Sequence, residues 1–287
     1  MNPLPLGHSA LRRAGVGLIV LGEATTQIGA AIAAGLFDRI GPAGAVGLRL
    51  FFAALILMIA VRPPLRAFTT RQWLLVVGYG LSLAAMNTSY YEAVARIPLG
   101  AVVCLELLGP LVLSVALSRR ASAWLWALLA GSGVVILDRG GFGRMNPEGV
   151  FFALLAGALW ACYILAARRA STTMRGLDGL STAMAVGALA AAPYAIISGG
   201  SRLMEAHVLL IGLIVALLSS TLPYAFEAIV LHWMPGSAFA VLMSLEPVMA
   251  ALSGALILGQ PINLWTGVAI GLVVVASAGA LRTNRAV

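Results

Sequence analysis

Cys104-Leu105-Glu106-Leu107-Leu108-Gly109-Pro110 sets a carboxylate and a proline inside a long apolar run, and Ser244-Leu245-Glu246-Pro247 does so again late in the chain. The flanking residues are greasy enough to cross a bilayer. An acid at the bilayer centre costs about 3 kcal/mol or more, so such residues are rare, face a bundle interior or a water-filled cavity, and mark solute or proton paths. Pro110 cannot donate a backbone hydrogen bond, and its ring crowds the carbonyl four residues back, which belongs to Glu106. A loosened carbonyl and a carboxylate therefore coincide. Pro247 directly follows Glu246, so a kink is expected there as well. Open backbone in a membrane is tolerated where it lines a cavity. The competing reading makes each acid a structural group held by a neighbouring helix.

Composition agrees with a membrane setting. The chain has 287 residues, is 61% hydrophobic and only 10% charged, and has a mean hydropathy of +1.00. Soluble domains carry about 25% charged residues. A membrane-spanning barrel would show alternating strands of about ten residues, whereas these apolar runs are long and continuous. The expected fold class is an all-α membrane protein.

The net charge of +8 comes from arginine alone, since no lysine is present. No basic stripe with interleaved aromatics appears, so a nucleic-acid partner is not expected. Cys104 and Cys162 lie inside apolar spans and read as small buried hydrophobes. His8, His207 and His232 form no cluster, so neither a metal nor another cofactor is expected. Gly131-Ser132-Gly133 lacks a membrane histidine to serve as base and reads as helix packing. An enzyme is not expected.

Each crossing needs about 20 residues, and ten fit. They run from Ala14 to Phe37, Pro42 to Val61, Gln72 to Val94, Pro98 to Ser118 and Ser122 to Asp138. The second five run from Pro147 to Arg168, Leu177 to Ser198, Ala206 to Leu231, Gly236 to Leu258 and Ile262 to Leu281. The first run is too long for the apolar core of a cleaved signal peptide. With alternating sides, twelve arginines fall with the termini and five on the opposite side. The positive-inside rule then puts both termini in the cytoplasm.

A shift of 137 residues lays Pro98 on Pro235 and Pro110 on Pro247, and the first five spans on the second five. An odd number of spans per half requires the second half to insert upside down. Residues 14–138 and 147–281 thus read as two inverted five-helix repeats, an architecture of secondary transporters with the solute site near the midplane. The acids do not superpose under this shift, for Glu106 falls on Met243 and Glu246 on Gly109. The cavity is expected to be asymmetric.

Other polar residues sit within the spans. Glu227, in Leu222-Pro223-Tyr224-Ala225-Phe226-Glu227, lies about one turn from the cytoplasmic end of its span and reads as a gate or an anchor. Glu23 lies mid-span, while Glu92 is flanked by Tyr90 and Tyr91 near the outer end and reads as interfacial. Arg49 is the one cation inside a span and is expected to pair with a carboxylate, whether to fix the fold or to receive a substrate carboxylate. Gln27, Asn87, Tyr163 and Tyr224 singly read as helix-to-helix glue. Together they suit a solute bearing an amine, a carboxylate and a hydroxyl.

Several stretches resemble the EamA-type branch of the drug/metabolite transporter superfamily. They are Gly47-Leu48-Arg49-Leu50, Ala85-Met86-Asn87, Pro98-Leu99-Gly100, Leu105-Glu106 and Gly109-Pro110 in the first half. Trp160-Ala161-Cys162-Tyr163-Ile164-Leu165, Leu222-Pro223-Tyr224 with Glu227, and Met243-Ser244-Leu245-Glu246-Pro247 complete the set. The resemblance spans residues 14 to 281. It implies a cavity lined by spans 1 to 4 and 6 to 9, and export of small hydrophilic amino acids such as threonine or homoserine. It further implies alternating access, exchange for protons and a bacterial inner-membrane location. Glu23 departs from the pattern. The alternatives are a broader drug or metabolite exporter, an intramembrane enzyme, or a scaffold without transport.

Overall fold

No water reaches the backbone in a bilayer, so an apolar run must pair its N–H and C=O groups internally, as a helix does within one segment. The computed structural model describes residues 8–118, 121–137, 145–223, 226 and 242–283, and the regular structure among them is helical throughout. The helices of the first half are α1 (His8–Ala34), α2 (Phe37–Val61), α3 (Thr70–Val94), α4 (Leu99–Glu106), α5 (Leu108–Ser118) and α6 (Ala121–Ile136). Those of the second are α7 (Pro147–Thr173), α8 (Asp178–Gly199), α9 (Ala206–Ala216), α10 (Glu246–Leu258) and α11 (Leu264–Thr283). A π turn, Leu217–Thr221, continues α9.

Local sequence explains the ends. Thr69 and Gln72 form a reciprocal capping box at the start of α3, satisfying two otherwise orphaned donors. Asn146 caps α7 through the Glu148 N–H, with Pro147 in the first turn, where a missing donor costs nothing. Near its start α2 bends at Gly41, whose φ of 70° is open to glycine without strain, just before Pro42.

The structure refines two spans. The run from Pro98 to Ser118 is two helices, broken at Leu107, where Pro110 removes the donor that would have met the Glu106 carbonyl. The run ending at Leu258 turns at Ser244-Leu245 and starts a fresh helix at Glu246. The expected kink is therefore a helix start, where proline fits the first turn.

Among the described residues, four stretches are apolar and long enough to cross a membrane, namely Gly15–Ala34, Phe37–Val61, Pro147–Thr173 and Asp178–Met204. Shorter apolar helical stretches are Leu99–Leu113, Ala206–Thr221, Glu246–Leu258 and Leu264–Gly279. The outward faces are greasy, with Leu74, Leu189, Ile197 and Leu256 exposed. Helix α7 shows one such stripe, in which Phe151, Leu154, Cys162 and Leu165 recur at helical spacing. Cys162 is thus exposed, correcting its reading as a buried hydrophobe, whereas Cys104 is buried.

Helix α2 packs along α8, α3 lies against both α7 and α8, and α6 pairs with α11. Helix α4 touches α7 and α10, α5 touches α7, and α1 runs beside α10 and beside α9 with its π turn. Between α3 and α7, Arg96 pairs with Glu92 at 2.5 Å and Glu148 at 3.1 Å. Tyr194 of α8 donates to Glu92 at 3.2 Å.

Candidate transport site

The two helix breaks put their acids in opposite settings. Glu106 ends α4, at the carbonyl-rich pole of a helix, while Glu246 opens α10, where free N–H groups and the dipole favour negative charge. Both are buried, at 6% and 8% exposure. The two acids thus differ in their backbone settings.

Glu246 closes a relay of hydrogen bonds across three helices. The Tyr90 hydroxyl of α3 donates to Gln27 Oε1 at 3.1 Å, and Gln27 Nε2 of α1 donates to Glu246 Oε1 at 3.0 Å. Gln27 uses its acceptor and its donor at once, so each neighbour fixes the other's orientation. Replacing Gln27 by leucine leaves a buried hydroxyl and a buried carboxyl without it. Each such loss costs about 1–3 kcal/mol, so thermal unfolding of the purified variant is expected at a clearly lower temperature than wild type.

Arg49, on α2, is 7% exposed. Its Nη2 donates to the Ser219 carbonyl at 2.8 Å and its Nε to the Ser220 hydroxyl at 3.2 Å. The guanidinium lies 5.6 Å from the centre of the Tyr91 ring. These serine contacts were not foreseen beside the expected carboxylate partner. Glu106 lies close enough to feel the charges of both Glu246 and Arg49. The Tyr90 hydroxyl feels all three.

The remaining candidates are spread more widely. Asn87 is buried on α3, but its amide donates to the Leu83 carbonyl one turn back, at 2.8 Å. Tyr163 of α7 packs its ring against Tyr79 of α3 at 5.3 Å, a helix-to-helix contact. Glu23 is buried on α1, whose neighbouring Gly22 packs near Pro223 and Phe226. Tyr224 and Glu227 lie outside the described residues. No group of acids, histidines and cysteines that could hold a metal occurs among the described residues.

Buried acids, a buried arginine and polar relays inside a greasy helical bundle define a multi-pass membrane protein with a charged interior. The EamA-like transporter family model matches residues 147–282. The threonine/homoserine exporter RhtA of Escherichia coli K12 is 36% identical over 274 residues, covering 93% of this chain and 91% of that protein. RhtA of Salmonella typhimurium LT2 matches to the same extent. A solved crystal structure aligns with a TM-score of 0.63 at 19% identity, covering 94% of this chain and 98% of that one, and so shares the fold. The chain belongs to the EamA-like transporter family, within the drug/metabolite transporter superfamily. It is a transporter and not an enzyme.

Proposed function

We propose that this protein exports threonine, homoserine or similar small hydrophilic amino acids across the bacterial inner membrane, by alternating access and in exchange for protons. The observation that carries this reading is the Tyr90–Gln27–Glu246 relay beside a buried Arg49, which offers opposite charges to the two ends of a zwitterion. Relatives covering nearly all of the chain bear the name of threonine/homoserine exporters, which supports the substrate class. Glu246 attracts the substrate amine, Arg49 the carboxylate, and Glu106 carries the coupling proton. Glu23, Glu227, Asn87, Tyr163 and Tyr224 line or gate the path around them.

The same reading takes residues 14–138 and 147–281 as inverted repeats of five spans, ten in all, with both termini in the cytoplasm. Packing supports it. Exchanging the halves turns the α1–α10 contact into the contact of α7 with α5. Likewise α3–α7 becomes α9–α1, and α3–α8 becomes α9–α2. The pairs α2–α8 and α6–α11 map onto themselves. Such pairing is expected of two copies of one unit related by a two-fold axis in the membrane plane.

The test is exchange in proteoliposomes. Purified protein is expected to exchange labelled L-threonine or L-homoserine for unlabelled, and an opposing proton gradient is expected to accelerate net export. No exchange of either amino acid would overturn the substrate assignment. Exchange that ignores the gradient would remove proton coupling alone.

A further inference from the structure

The oxygens that hold Arg49 occupy a particular pair of its donors. In an arginine, Nε–H and the neighbouring Nη2–H are parallel, and they form the fork that grips a carboxylate through both oxygens. Here Nη2 meets the Ser219 carbonyl at 2.8 Å and Nε meets the Ser220 hydroxyl at 3.2 Å. Two oxygens of the chain thus stand where the two oxygens of a carboxylate would stand. The Tyr91 ring lies against the guanidinium, 5.6 Å to the ring centre, a contact that holds its plane.

Both oxygens come from the π turn. There the Leu222 N–H reaches back five residues to the Leu217 carbonyl, so the turn contains one residue more than an α-helix would. Such turns are rare and concentrate at functional sites. The turn is held from outside as well as from within, because the Ser219 hydroxyl donates to the Thr26 carbonyl of α1 at 3.0 Å. Ser219 and Ser220 are 3% and 1% exposed. Release of Arg49 therefore frees a turn that also touches α1, the helix bearing Gln27.

We propose that Ser219 and Ser220 form a built-in surrogate for the substrate carboxylate, which the incoming substrate displaces from Arg49, releasing the π turn. Ser220 is then a positioning residue that competes with substrate and sets how tightly substrate binds. This rests on the amino-acid reading above. The competition has a distinctive sign. Removing a residue that binds substrate weakens binding, whereas removing a competitor strengthens it.

The experiment uses the full-length protein in proteoliposomes with L-threonine as probe. Ser220→Ala is expected to lower the KM for threonine exchange by about tenfold, the worth of one hydrogen bond to a charged group at the low end of its range. Ser220→Thr, which keeps the hydroxyl, is expected to restore the wild-type KM. A raised or unchanged KM in Ser220→Ala overturns the proposal. In the wild-type protein, amide hydrogen exchange across residues 217–223 is expected to quicken several-fold with saturating L-threonine. L-threoninol, which lacks the carboxylate, is expected to leave it unaltered. Exchange that stays constant or slows with threonine, or that quickens equally with threoninol, also overturns the proposal. A wild-type protein that does not exchange threonine sinks the amino-acid reading and this inference with it. Normal wild-type exchange with the wrong response in these measurements sinks this inference alone.

Discussion

Glu246→Gln is expected to cut amino-acid exchange by about 10- to 100-fold while leaving the protein folded in the membrane. Glutamine matches glutamate in size and keeps an oxygen where Gln27 Nε2 donates at 3.0 Å, so the relay to Tyr90 survives. What disappears is the charge. A hydrogen bond to a charged group contributes about 1.5–3 kcal/mol, and 1.4 kcal/mol is about tenfold in affinity, which sets the predicted range. The check is initial exchange of labelled threonine, with thermal unfolding of the same preparation as the folding control. Wild-type exchange in the variant would remove Glu246 from the mechanism. Glu106→Gln is expected to behave differently, because among the described residues its carboxyl accepts no hydrogen bond whose loss would disturb the fold. Threonine exchange at equal pH on both sides is expected to persist in that variant, and acceleration by a proton gradient to vanish. Equal loss of both activities would assign Glu106 to the substrate instead.

How much of this was readable before the structure depends on the range of each interaction. The break at Glu106 was legible because Pro110 acts within one turn, through a missing donor and a crowded carbonyl. The same logic placed a disturbance at Pro247 but misjudged its form. A turn at Ser244-Leu245 lets the proline sit in the first turn of α10, where it costs nothing, so a helix starts where a kink was expected. The partners of Arg49 were not legible. Ser219 and Ser220 lie about 170 residues away in sequence, and a π turn leaves no periodic signature beyond an unremarked Ser-Ser-Thr in an apolar run. Glu92 was read as interfacial from its flanking Tyr90 and Tyr91, yet on a helix residues two apart point to nearly opposite sides, about 200° round the axis. Tyr90 reaches inward to Gln27, whereas Glu92 meets Arg96. Cys162 shows a limit of a different kind. A membrane protein is apolar on its outside as well as its inside, so an apolar run does not say which face meets lipid.

Two glycines hold the Glu106 break in place, and filling either is expected to damage the site. A Cβ at Gly157 of α7 would fall 2.5 Å from the Glu106 carbonyl oxygen, and a Cβ at Gly109 would collide with the Gly157 carbonyl. The obstacles are backbone, which cannot swing aside as a side chain can. Overpacking of this kind costs about 1–3 kcal/mol or more, so Gly157→Ala and Gly109→Ala are each expected to lower the unfolding temperature of the purified protein. Gly131→Ala is the matched control, since among the described residues no atom beyond its own stretch of helix lies within 4 Å of the new methyl group. There the better helix propensity of alanine is expected to leave stability unchanged or slightly raised. Both damaging methyls enter the same crossing, where α7 passes the break between α4 and α5, and once one has forced the segments apart the second meets less resistance. The double variant is therefore expected to lose less stability than the two single losses added, a coupling that separated sites do not show. Additive losses would mean that the two methyls are accommodated independently, and that the gap is not one rigid crossing. The functional consequence follows from the contact itself, because the carbonyl that Gly157 abuts belongs to the same residue as the proposed proton carrier. Gly157→Ala is expected to lose proton-driven export more than equal-pH exchange, in the same sense as Glu106→Gln.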